Sequence, residues 1–271
     1  MAIRAILIDL DNTLLLEDEA TERALQQTGE LAGRRAGADP AIIVAAAREA
    51  ATSLFGASPV FPHADEMGIW WGEALWGDFI GDQTGLAELR SFAPRFRRAV
   101  WTRALSATAL GDDALVQELA AAFARFRRAS RPIVPDAETV LDDLRRDHRL
   151  GLVTNGAPDV QREKIARTAL AAHFDAIVIS VEVGAGKPDP RIFHAALDAL
   201  GVASTDAVMV GDSLERDVAG ARRAGLRTIW IDRSGAAAAG PIAPDARIRS
   251  LSELRDAVTR LEQVGASPQP A

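Results

Sequence analysis

A short apolar run, Ile3 to Leu10, carries two carboxylates at its far end, Asp9 and Asp11. A run of that length reads as a buried strand rather than a helix. Four comparable runs appear only after residue 148: Arg149–Thr154, Phe174–Ser180, Ala207–Gly211 and Arg227–Asp232. Helix signals alternate with them. Pro135 precedes DAETVLDDLRRDH, and Pro158 opens DVQREKIARTALAAHF. Asp189 and Pro190 fit the N-cap and first turn of RIFHAALDALG, and Leu214–Ala224 stops at Gly225. This alternation predicts an α/β fold, a Rossmann-like parallel sheet with helices on both faces.

Between Glu17 and Arg131 the pattern changes. Asp39-Pro40 starts the Ala-rich AIIVAAAREAATSLF, Gly111-Asp112 starts DALVQELAAAFARFRRAS, and no strand signal occurs. Trp70, Trp71, Trp76 and Trp101 lie here, and most of them read as core filling between helices rather than a ligand cage. The expected organisation is a core of residues 1–16 and 132–260, an inserted all-helical domain at 17–131, and a tail at 261–271 whose end, GASPQPA, is expected to be disordered.

Composition removes several chemistries. The chain has no cysteine, so disulfides, zinc–thiolate sites and thiol nucleophiles are excluded. It has no tyrosine, so no phenol serves as acid, base or nucleophile. His63, His148, His173 and His194 show no metal-ligand spacing. A net charge of -7 gives no basic field for nucleic acid. The apolar amino terminus is interrupted by Asp9 and Asp11, unlike a signal peptide, and no run approaches a membrane span of about 20 residues. A cytoplasmic protein is expected, a monomer or weak homodimer, with neither nucleic acid nor membrane as partner.

Only Lys164 and Lys187 are lysines among 31 basic residues, leaving 29 arginines, and only Asn12 and Asn155 are asparagines. Chemistry is a reason to retain such rare residues. Lys164 is read as chance, and its replacement by arginine as neutral.

Ligands of open parallel sheets gather at the carboxyl ends of the strands. The first strand end carries Asp9-Leu10-Asp11-Asn12-Thr13, the second Thr154-Asn155-Gly156, the loop after the third Gly186-Lys187-Pro188-Asp189, and the fourth Gly211-Asp212-Ser213-Leu214-Glu215-Arg216-Asp217. Each alone is an ordinary turn or helix cap; four in order, each after a strand, are specific. Asp9 and Asp212 with a backbone carbonyl suit an oxygen-liganded Mg2+. Lys187, Thr154, Asn155 and amides at a helix start can hold anionic oxygens. A cation, an ammonium and hydrogen-bond donors around a carboxylate nucleophile describe phosphoryl transfer.

Asp9-x-Asp11-x-Thr13, Thr154, Lys187 and GDSLERD together resemble the haloacid dehalogenase-like hydrolases, over the whole chain except the tail. The helical insertion falls where that superfamily carries its cap. LVTNGAPDVQREKI, VEVGAGKPDPRIF and VMVGDSLERDVAGARRAGL resemble most closely the N-acylneuraminate-9-phosphatases and related sugar-phosphate and phosphoglycolate phosphatases. The resemblance implies a small phosphorylated substrate. Asp9 would be the nucleophile and Asp11 the acid and base. Mg2+ would sit on the Asp9 carboxylate, the Asp11 carbonyl and Asp212. Thr154, Lys187, Asn155 and the Asn12 backbone would bind phosphate, with Asp217 behind them, orienting Lys187 or a metal-bound water. A metal-independent dehalogenase on the same fold would need neither Asp11 nor the acidic fourth motif, and a phosphomutase differs mainly in what the cap admits. A phosphate-sensing receiver module is much shorter, and a non-catalytic scaffold would normally lack a motif residue. Gly184-Ala-Gly186-Lys187 is not a P-loop, because Pro188 stands where Ser or Thr is required.

Overall fold

The computed structural model describes residues 2–106, 112–130, 132–233, 235 and 242–264. The tail sequence GASPQPA and Arg131, at the expected boundary, lie outside them. The chain divides into two compact units, one of residues 1–16, 133–155 and 164–271, the other of residues 17–132 and 156–163.

The first unit is a parallel sheet. Its strands are β1 (Ala5–Ile8), β2 (Arg149–Thr154), β3 (Ala176–Ile179), β4 (Ala207–Gly211), β5 (Arg227–Ile231) and β6 (Ala246–Ile248), in the order β3-β2-β1-β4-β5-β6. Side chains alternate across β1. Ile6 and Ile8 join a core on one face with Leu141, Leu144, Leu254 and Val258, while Ala5 and Leu7 join Ile192, Phe193, Ala196 and Leu200 on the other. Both faces are buried, which is what an apolar central strand requires. β6 carries no run of the kind that marks the other five: it is three residues with Arg247 at its centre, added by parallel pairing to β5.

The second unit is helical. It contains α1 (Glu17–Ala36), α2 (Pro40–Gly56), α3 (Phe61–Met67), α4 (Trp71–Ala74), α5 (Leu86–Ser106) and α6 (Asp113–Ala129). Asp39 caps α2 by accepting from Ala41 N–H, and Asp112 caps α6 by accepting from Leu115 N–H. Trp76 and Trp101 are buried, the latter 6.2 Å from Phe123 between ring centroids. Trp70 and Trp71 differ from the core-filling expectation. They are half-buried and line a cavity of about 590 Å³ with Asp18, Glu22, Arg23 and Arg48. Glu17 pairs with Arg127 out of solvent.

The remaining helices are α7 (Ala137–Leu144), α8 (Pro158–Ala166), α9 (Ser180–Val183), α10 (Pro190–Leu200), α11 (Gly220–Arg223) and α12 (Leu254–Val264). α8 is shorter than its apolar pattern suggests. Thr168 Oγ1 donates to Ile165 O at 2.7 Å and accepts from Leu170 N–H at 3.2 Å, supplying the local bonds that end a helix. The expected helix Leu214–Ala224 is a π-type turn over Leu214–Ala219 followed by α11. Gly220 opens α11, and a Cβ there would stand 2.8 Å from Cα of Pro188. Among the described residues no single helix is long and apolar enough to cross a membrane.

Candidate active site

β1 and β4 are hydrogen-bonded neighbours, and Asp9 N–H extends the ladder to Val210 O at 3.0 Å. Asp9 and Asp212 therefore leave the sheet from adjacent strands at one edge. β2 flanks β1 on its other side, with Leu152 opposite Ile8, so Thr154 reaches the same edge.

Lys187 lies in the loop beyond α9. Its Nζ donates to Asp9 Oδ1 at 2.5 Å and to Asp217 Oδ1 at 2.7 Å, with 3% of its side chain exposed. Asp217 Oδ2 accepts from Ser213 N–H at 3.0 Å. Asn155 fixes the Lys187 backbone from both ends of its amide, donating to Lys187 O at 2.9 Å and accepting from Lys187 N–H at 2.7 Å. Thr154 is buried, its hydroxyl donating to Asn155 O at 3.3 Å. Asn12 takes φ 58°, a left-handed conformation that asparagine tolerates better than most residues.

Carboxylate oxygens of Asp9, Asp212 and Asp217 lie within 4.8 Å of one another. Among the described residues this is the one group of three acidic or histidine side chains close enough to share an ion. Burial pushes the Asp9 carboxyl well above its usual range; Lys187 pulls it down, and Asp217 and Asp212 push it further up. Burial works against the Lys187 ammonium, but Asp217 and Asp9 outweigh it and hold the proton on more tightly than usual. Asp9 and Asp217 share the Lys187 ammonium, and Asp212 brings a third carboxylate beside them. An all-oxygen donor set of this kind fits a hard divalent cation.

The structure brings Asp9, Lys187, Asp212 and Asp217 into one cluster, with Thr154 and Asn155 at the same edge. The side chain of Asp11 meets a partner that sequence reasoning discounted. Lys164 on α8 is buried, and its Nζ donates to Asp11 Oδ1 at 3.1 Å and Oδ2 at 2.9 Å. The expectation that Lys164 is incidental gives way to a buried ion pair with Asp11. A buried ammonium on a carboxylate sits where a wider guanidinium needs new room. The rarity of lysine was the signal that could have identified it.

Two further residues were also missed. Trp230, next to Gly211 in the β4–β5 register, donates from Nε1 to Asp212 O at 2.8 Å. It is the one tryptophan outside the helical block, and that was its signal. Arg233 donates to the carbonyls of Asn12 and Thr13. Gly211 leaves the space that the Asp217 carboxylate occupies.

A family model described as haloacid dehalogenase-like hydrolase matches residues 3–225. The chain is 42% identical to a phosphoserine phosphatase of Thermus thermophilus over 253 residues, covering 93% of this chain and 98% of that one. It is 48% identical to the N-acylneuraminate-9-phosphatase of Mus musculus over 104 residues, 38% of this chain and 42% of that protein. In fold it is similar to the HAD-hydrolase YfnB of Bacillus subtilis, with TM-score 0.66, 21% identity, and 95% and 99% of the two chains covered. The chain belongs to the haloacid dehalogenase-like hydrolases. Within that family it lies in the phosphatase branch and is a phosphoric monoester hydrolase.

Proposed function

We propose that this hydrolase removes phosphate from a small phosphorylated metabolite through an aspartyl-phosphate on Asp9, with Mg2+ as cofactor. The observation that carries the reading is the Asp9 carboxylate held by the Lys187 ammonium inside a cluster with Asp212 and Asp217. Asp9 attacks phosphorus and the bond to the leaving oxygen breaks. Asp11 gives that oxygen its proton. Asp11 then takes a proton from the water that attacks phosphorus, which releases inorganic phosphate and restores Asp9. Lys187 holds a phosphoryl oxygen and Asp9 together, and Thr154 and the Asn12 backbone add donors. Asn155 acts chiefly by fixing Lys187. Asp9, Asp212 and the Asp11 carbonyl would hold Mg2+, which offsets the charge of the incoming phosphate. Both oxygens of Asp217 are occupied by Lys187 and Ser213, which suits a supporting part.

The helical unit is proposed to act as a mobile cap that selects the substrate. The chain first leaves the sheet unit and returns to it side by side, at a Leu15–Ile133 bridge, which suits a hinge at that pair of crossings. Sugar and sugar-acid phosphates are candidate substrates. The near-full-length similarity to a phosphoserine phosphatase adds a phosphorylated amino acid to them.

The test is phosphate release from phosphoserine, sugar phosphates, sugar-acid phosphates, phosphoglycolate and nucleotides, with Mg2+ and after chelation. Metal-dependent release from at least one of them is expected. Full activity after exhaustive metal removal would overturn the reading in favour of metal-independent chemistry.

A further inference from the structure

The Lys164 ammonium is 2% exposed and the Asp11 side chain 23% exposed. One Nζ meets both Asp11 oxygens, at 3.1 and 2.9 Å. An ammonium out of water is costly unless it is paired. Here the pair joins α8 to the end of β1, 153 residues away in sequence. A single ammonium bridging both oxygens fixes the carboxylate's position and also the rotation of its plane, which is otherwise broad for aspartate. The anchor is itself held firmly, because Ile165, the next residue, is buried in the sheet's core. Lys187, the other lysine, holds the other acid of the same strand end, Asp9. Each rare ammonium therefore serves one of the two acids.

We propose that Lys164 is the positioning residue for Asp11, keeping one carboxyl oxygen on its Nζ so that the other, once protonated, faces the leaving oxygen. The proposal rests on the reading of Asp11 as acid and base. Lys164 acts through Asp11 and does not touch the substrate. Misplacing the acid costs most when the leaving alkoxide is poor and least when it departs unaided. An ion pair that only stabilises the fold would shift turnover of both kinds of ester alike. A lysine that binds phosphate would raise KM.

The experiment compares Lys164→Met, Asp11→Asn and the double variant. The substrates are 4-nitrophenyl phosphate and the alkyl phosphomonoester that the wild type hydrolyses fastest. Melting curves confirm that each variant is folded. Asp11→Asn is expected to lose about 100-fold or more in kcat/KM, which reports formation of the aspartyl-phosphate alone, on the alkyl ester and clearly less on the aryl ester. Lys164→Met is expected to lose about tenfold or more on the alkyl ester and less than about threefold on the aryl ester, with KM within about twofold. In the Asp11→Asn background it is expected to cost nothing further, because its partner acid is gone. Where Lys164→Met does not fold, Lys164→Gln is read by the same ratio.

Equal losses on both esters, a KM effect alone, or full additivity with Asp11→Asn would overturn the proposal while leaving Asp11 as the acid. If Asp11→Asn itself fails to discriminate between the esters in kcat/KM, where dephosphorylation does not contribute, the reading of Asp11 falls and the proposal falls with it.

Discussion

Replacing Gly211 by alanine is expected to cripple turnover without removing a charge or a hydrogen-bonding group. A Cβ there would stand 2.3 Å from Cγ and Oδ2 of Asp217 and 2.6 Å from its Cβ. Ordinary contact needs about 3.5 Å, so the carboxylate must retreat by roughly 1 Å. It has little freedom to do so, since Asp217 is buried with Oδ1 on Lys187 and Oδ2 on Ser213 N–H. Its retreat therefore displaces the ammonium that also holds Asp9. A misplacement of about 1 Å at a positioned group is worth about 100-fold in rate. The overpacking itself costs about 1–3 kcal/mol of stability, which a domain of ordinary stability survives. The assay is kcat on 4-nitrophenyl phosphate at saturating Mg2+, with circular dichroism melts to confirm folding. Gly56→Ala, where a new Cβ meets nothing within 4 Å, is the control and should match the wild type. A folded Gly211→Ala protein with wild-type kcat would refute the claim that Asp217 fixes Lys187.

Lys187→Arg should fold and lose at least about tenfold in kcat, because a planar guanidinium cannot replace a compact ammonium shared by Asp9 and Asp217; steady-state assays beside the wild type decide it. Mg2+ at about 100 times its Kd should stabilise the protein by about 2.7 kcal/mol, read as a rise in Tm, and Asp212→Asn should largely remove that rise. In the helical unit, Arg127→Met should cost about 3–5 kcal/mol because it breaks a buried ion pair with Glu17, while adding Glu17→Gln should restore part of the loss in denaturant melts.

The sheet edge was legible because two rules act in series. Apolar runs alternating with helices fix a parallel sheet, and a parallel sheet places its strand ends along one side. Asp9, Thr154 and Asp212 follow from those rules. The helix starts were legible because capping is local: Asp39, Asp112 and Asp189 each accept from a backbone N–H two or three residues on. What escaped depends on distant partners. β6 is a strand only because β5 offers it an edge. Lys164 meets Asp11 across 153 residues, a pairing that no window along the chain contains. Trp230 stands out in the sequence as a lone tryptophan, but its partner Asp212 follows only once β5 is known to lie beside β4.

The burial of both lysines also determines how the protein meets reagents. Among the described residues, no side-chain amine faces solvent, and the exposed strong bases are arginines. Acylating reagents and lysine-specific proteases will find no lysine target on the folded surface. Labelling or cleavage at residues 164 and 187 would therefore time the opening of the sheet unit, without any probe being introduced. Any acylation of a lysine side chain in this protein, chemical or enzymatic, would fall on the amines that hold Asp11 and Asp9.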